Sequence, residues 1–136
     1  RILSSAASDV YKRQLLMGMA KKYSKELNDL ENLAAMFYEG VEATKKRGKA
    51  DLGEKTMLDV LIPVSLSLNK LKNEKNIKIV AEKIKMVAKE GMLSTRDIMA
   101  TKGRASFLGE RAIGHIDPGA RSSQLAISAI CDEYIN

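Results

Sequence analysis

The stretch TMLDVLIPVSLSLNKL, residues 56–71, constrains the fold more than any other part of the chain. At helical spacing its apolar residues cover nearly the whole circumference. A helix that is apolar all round is stable only when neighbours cover it on most sides. Residues 56–71 are therefore expected to form a central, buried helix, kinked at Pro63, with the remaining helices packed around it. The apolar mass is Leu, Ile, Val, Ala and Met, with aromatics at 4% and no Trp, which suits helix-on-helix packing. Pro63 and Pro118 are the only prolines, so long uninterrupted helices are possible.

The surrounding sequence supplies such helices. Asn28 with Glu31 resembles a capping box, and Leu30, Leu33, Ala34, Phe37, Val41 and Ala43 follow at near-helical spacing. Lys45, Lys46 and Arg47 fall in the last turn, where cations suit the helix dipole, and Gly48 is placed to be the residue just past the end. The spacing predicts an amphipathic helix over 74–90, with Ile77, Val80, Ala81, Ile84 and Val87 inward and Gly91 ending it. Ser94 with Asp97 can cap a short helix over 94–100. Asp117 followed by Pro118 is a favourable N-cap and first-turn pair for a last helix over 117–134. Leu15 to Tyr23 reads as the tail of a further helix. No stretch alternates as a strand would, and no repeat occurs. The fold class expected is all-α, an antiparallel helical barrel or bundle. Residues 1–14, RILSSAASDVYKRQ, show no clear apolar period and read as an unmatched, non-native leader before a domain that occupies 15–136.

The formal net charge is +6 in 136 residues, a size that suits one domain. The densest basic cluster is Lys45, Lys46, Arg47 and Lys49, and acidic residues are interspersed nearly everywhere else. Solvated helix faces account for this pattern. A basic module that binds nucleic acid or protein is an alternative, opposed by the scattered lysines and the scarcity of stacking aromatics. Cys131 is the sole cysteine, so no internal disulfide can form, which fits a reducing compartment. No apolar run reaches the roughly 18 residues of a membrane span. A cytoplasmic protein without membrane or nucleic-acid partners is expected.

Two loops carry the candidate chemistry. Gly48-Lys49-Ala50 and then Gly53-Glu54-Lys55-Thr56-Met57 bring backbone N–H groups, a cation and a hydroxyl to a helix start, where anions bind readily. Taken alone this signal is weak, since Gly and polar residues between helices are usually only a turn. The second loop, residues 101–123, holds Gly103, Gly109, Gly114 and Gly119 around Arg104, His115 and Asp117-Pro118. Arg104 could meet a phosphate with its guanidinium fork or could be a surface arginine. His115, the lone histidine, builds neither a metal site nor a triad by itself. Cys131 lies on the apolar side of the last helix, in a packing role.

The two loops together resemble a known family. GRASFLGERAIGHIDPGARSS resembles the signature near the C-terminus of the nucleotide-binding L subunit of dihydroxyacetone kinases. RGKADLGEKTMLDVLIPVSLSL resembles that family's preceding motif, where a Gly-Lys-Ala turn leads through Lys-Thr-Met into a buried helix. The resemblance runs from about Leu15 to the end and reaches only the later part of the family's domain. It implies a barrel of antiparallel helices that holds ADP or ATP at one end. Gly48 and Met57 would line the adenine pocket, with Thr56 beside it. Arg104 would contact the nucleotide, as would the loop Asp117, Pro118 and Gly119. A Met side chain is a soft, polarizable surface for a purine, and glycine lets a ring approach the backbone.

The resemblance also implies what lies elsewhere. The family binds magnesium through three aspartates in an early motif, which this sequence does not contain, and it cradles phosphates with a Gly-Gly-Ala-Ser-Gly loop, also missing here. The chain accordingly reads as the C-terminal part of a nucleotide-binding domain, inactive alone, with no catalytic residue of its own. Its partner would be a triose-binding K subunit. In some family members a phosphocarrier protein of the sugar phosphotransferase system rephosphorylates ADP in place, whereas in others ATP is the donor. A kinase of the same fold acting on another small keto-sugar is a further alternative.

Overall fold

In a computed structural model the described residues are 29–98 and 113–136, with Arg13 in addition. They form α1 (Asp29–Gly48), α2 (Leu58–Leu71), α3 (Ile77–Ser94), a short 3-10 turn (Thr95–Asp97) and α4 (Pro118–Ile135), and no strand occurs among them. This is the all-α fold that the helical spacings predict. Residues 1–12 and 14–28, including the leader, the tail at Leu15 to Tyr23 and Asn28 of the expected capping box, lie outside the described residues. So do residues 99–112, and with them Arg104.

As expected, α2 is central, packing against α1, α3 and α4, while α3 and α4 also pack extensively on each other. Its Val60, Val64 and Leu68 meet Val80, Ala81, Ile84, Ala88 and Met92 of α3, Ala120 and Cys131 of α4, and Ala34 of α1. A second cluster, Val41, Leu58 and Leu61, continues the core toward the turn before α2, with Ala50, Met57 and Ile127 packed against it. Burying such side chains stabilises by about 1.5–3 kcal/mol each. Leu66 faces outward and is exposed, so the apolar circumference of α2 is not covered on every side.

Several element ends differ from the spacing-based reading. Helix α2 starts at Leu58, leaving Thr56 and Met57 in the preceding turn. Helix α3 starts at Ile77 behind Asn76, whose side chain accepts from Lys78 N at 3.1 Å. Ile77 is exposed rather than inward, because the inward stripe starts one turn later at Val80. At the end of α1 the left-handed residue is Lys49 (φ 50°), not Gly48. The Ala50 N–H then donates to Lys45 O at 3.2 Å, the Schellman closure of a helix end.

Gly91 does not end α3, which runs on to Ser94. Its role is packing: a Cβ there would collide with the Asp59 carbonyl oxygen and lie 3.1 Å from Val60 Cα. Pro63, inside α2, has no N–H to give to the carbonyl four residues back, which is that of Asp59. The α3 backbone at Gly91 thus packs against the carbonyl that proline deprives of its helical partner. Of the short helix expected over 94–100, residues 99 and 100 lie outside the described residues, and the rest holds only the 3-10 turn after the end of α3. The expected Ser-x-x-Asp cap does not form, since Ser94 Oγ donates back to Gly91 O at 2.6 Å.

Candidate functional site

The turn between α1 and α2 meets the N-terminus of α4 and the 3-10 turn at one end of the bundle. Asp59, in the first turn of α2 and buried, organises the first of these segments. Its Oδ1 accepts from Gly53 N at 2.6 Å and its Oδ2 from Thr56 N at 3.1 Å. The expected anion site at this helix start is therefore occupied by the chain's own carboxylate. Thr56 Oγ1 in turn accepts from Leu58 N at 3.1 Å. The result is a closed turn whose last residue, Met57, is half-buried against the second apolar cluster.

Asp117 organises the opposite wall. As expected of an N-cap, its Oδ2 accepts from Ala120 N at 2.9 Å, with Pro118 at the start of α4. Its own N–H donates to Thr95 Oγ1 at 3.0 Å, and Thr95 Oγ1 donates to Met92 O at 2.7 Å. Gly114 (φ 92°) donates to Arg96 O at 2.5 Å. The segment 114–117 is thus pinned along the 3-10 turn, through buried bonds at Thr95 and an exposed one at Arg96, each worth about 0.5–1.5 kcal/mol net.

Lys55 joins the two walls. It is 1% exposed, adopts φ 59°, and its Nζ donates to the His115 carbonyl oxygen. Burial pushes its ammonium below the ordinary lysine range, while Asp117 and then Asp97 draw it back up. The joint brings Met57 to Gly119: a Cβ at Gly119 would lie 3.6 Å from Met57 Cβ and 3.1 Å from Asp117 Oδ2. A Cβ there would touch the apolar wall and crowd the capping carboxylate.

Of the residues singled out from sequence, the structure brings Thr56, Met57, Asp117, Pro118 and Gly119 to this end. Asp117 and Gly119 are buried, and Pro118 is exposed. Gly48 closes α1 at the far end of the same turn. His115 contributes its backbone carbonyl, its side chain being exposed. Cys131 is buried and free, in the packing role expected. Asp59 and Thr95 are the residues that sequence reasoning did not place in the site; Lys55 enters there only as the cation of the candidate turn, without its burial or its carbonyl partner. Asp59 carried a readable signal, a lone acid in the first turn of an otherwise apolar helix, which must satisfy N–H groups there. Among the described residues no three His, Cys, Asp or Glu side chains gather as metal ligands. The Asp59 and Asp117 carboxylates, spent on backbone N–H groups, do not fit a magnesium site.

No helix among the described residues is long and apolar enough to cross a membrane. Residues 7–132 match the family model described as the DAK2 domain. The chain is 44% identical over 120 residues to the ADP-binding subunit of PEP-dependent dihydroxyacetone kinase 1 from Listeria innocua, covering 88% of this chain and 56% of that one. It is 47% identical over 100 residues to the ADP-binding subunit of a PTS-dependent dihydroxyacetone kinase from Lactococcus lactis, covering 74% and 47%. It is 45% identical over 94 residues to the ADP-binding subunit of the PEP-dependent enzyme of Escherichia coli, covering 68% and 45%. The chain spans about half the length of these relatives.

Proposed function

Because the chain belongs to the DAK2 domain family, we propose that it binds an adenine nucleotide and presents it for phosphoryl transfer to dihydroxyacetone. The observation that carries this reading is the meeting of Met57 with Gly119, residues far apart in sequence and both within the family-like motifs. In this reading Met57 and Thr56 form a soft wall for the adenine and Gly48 lets the ring approach the backbone. Asp117, Pro118 and Gly119 border the nucleotide, and Arg104 holds its phosphates by a bidentate fork. The ordered turn and the capped helix start keep this wall in place before ligand arrives, which lowers the ordering cost of binding. Magnesium, when bound, neutralises phosphate charge, and its ligands would come from outside the described residues.

The names of the relatives, ADP-binding subunits of PEP-dependent and PTS-dependent kinases, support ADP as the nucleotide bound; in this reading it is rephosphorylated in place by a phosphocarrier protein of the sugar phosphotransferase system, with ATP as a direct donor the variant of the scheme. The triose would sit on a separate K subunit, and the assembly would work in the cytoplasm. The test is calorimetric titration of ADP into the natural protein, wild type against Arg104→Ala and against Lys78→Ala, an exposed lysine at the start of α3. Loss of a charge-assisted bond worth about 1.5–3 kcal/mol lowers affinity roughly tenfold to hundredfold. Arg104→Ala is expected to show that loss and Lys78→Ala none. Absence of saturable ADP binding by the wild type would overturn the reading.

A further inference from the structure

We propose that Lys55 is a positioning residue that fixes the separation of the two walls of the site, holding the Asp117–Gly119 loop against the Thr56–Met57 turn. The proposal rests on the nucleotide-binding reading above and assigns a role to a side chain that the reading leaves unused. A lysine is almost never fully buried without a partner, yet Lys55 is 1% exposed. Its backbone also sits at φ 59°, a conformation costly for a residue with a side chain. Both costs are borne at one position, and both serve one geometry. The left-handed turn aims the side chain across the end of the bundle, where Nζ donates to His115 O.

That carbonyl lies two residues before Asp117, the cap of α4, and the ammonium interacts favourably with Asp117 and with Asp97 of the 3-10 turn. One cation therefore ties three chain segments together. Asp59 holds the residues on either side of Lys55 by accepting from Gly53 and Thr56. Lys55 cannot swing away without breaking that turn, so the distance it sets is transmitted to Met57, two residues on. The two walls meet edge to edge, since a Cβ built at Gly119 would lie 3.6 Å from Met57 Cβ, so the purine would rest across both rather than between them. A loop free to move away would leave the purine without one of its two walls.

The experiment measures ADP affinity by calorimetry, thermal midpoint, and amide hydrogen exchange in the natural protein. It compares wild type, Lys55→Met, Lys55→Gln and Val80→Ala, the last a change in the buried core of α3 away from the turn. Lys55→Met is expected to weaken ADP at least about tenfold, the loss of a charge-assisted tie, and to speed exchange at 117–121 while α3 stays protected. Val80→Ala is expected to lower the thermal midpoint with ADP affinity unchanged. Lys55→Gln keeps a shorter donor without the charge and is expected to fall between. Should Lys55→Met not fold, Lys55→Gln carries the test with the same signs. ADP affinity within about twofold of wild type in the folded Lys55 variants, or a loss no greater than that of Val80→Ala, overturns the proposal. Failure of the wild type itself to bind ADP overturns the nucleotide reading and this proposal together.

Discussion

Substituting Gly91 by Ala tests the packing that supports the site, because two opposing effects of known size meet at one atom. Alanine is favoured over glycine inside a helix by about 1 kcal/mol, and Gly91 lies within α3. Against this, the new Cβ would collide with the Asp59 carbonyl oxygen, with Val60 Cα at 3.1 Å and the Asp59 carbonyl carbon at 3.2 Å. All three atoms are backbone, so no side chain can rotate away and the helices must part. Overpacking of a core costs about 1–3 kcal/mol, and a backbone-on-backbone clash belongs at the upper end. The net is a destabilisation of about 2 kcal/mol, which for a domain of this size lowers the thermal midpoint by roughly 6–10 °C. The same displacement moves Asp59, whose carboxylate holds Gly53 and Thr56, so ADP affinity should fall as well. Differential scanning calorimetry of Gly91→Ala beside Lys89→Ala, an exposed position on the same helix, separates clash from propensity. A Gly91→Ala protein as stable as wild type or more so would refute the close approach of α2 and α3.

Three further outcomes are expected. Ser65 Oγ is buried with no hydrogen-bond partner, so Ser65→Ala should stabilise the protein by about 1 kcal/mol in urea unfolding, and destabilisation would count against the burial. Asp117→Ala removes the cap of α4 and should cost about 1–2 kcal/mol, read from the same urea curves, while an unchanged midpoint would refute the cap. Burial first, and Asp132 second, push the Cys131 thiol above the ordinary range, with Lys85 opposing. The unfolded chain therefore ionises this thiol first, and stability falls as pH rises from the ordinary thiol value toward the raised one. Cys131→Ala should flatten the thermal midpoint between pH 7.5 and about 9.5, and an identical slope in both proteins would contradict this.

The helices were legible because their apolar residues repeat at helical spacing and because Asp117-Pro118 is a strong local start signal. Their ends were less so, because tertiary contacts decided them. Gly91 has the local character of a helix terminator, yet the helix continues because its missing side chain lets two backbones meet. Lys49, not Gly48, takes the left-handed position since the Schellman bond closes one residue later. In the site, motif resemblance points to Met57 and Gly119 separately, and only the fold brings them together. Lys55 reads in sequence as one more cation in a polar turn; its burial depends on a carbonyl 60 residues away, which no local pattern encodes.

The most direct measurement of where the nucleotide sits is amide chemical-shift mapping of the isotope-labelled natural protein during ADP titration. The account predicts saturable shifts at Gly48, Thr56, Met57, Asp117 and Gly119, with Arg104 among the most perturbed, and little change on the exposed face of α3 around Lys78 and Glu82. Shifts concentrated on α3, or no saturable change at the turn and the α4 start, would contradict it.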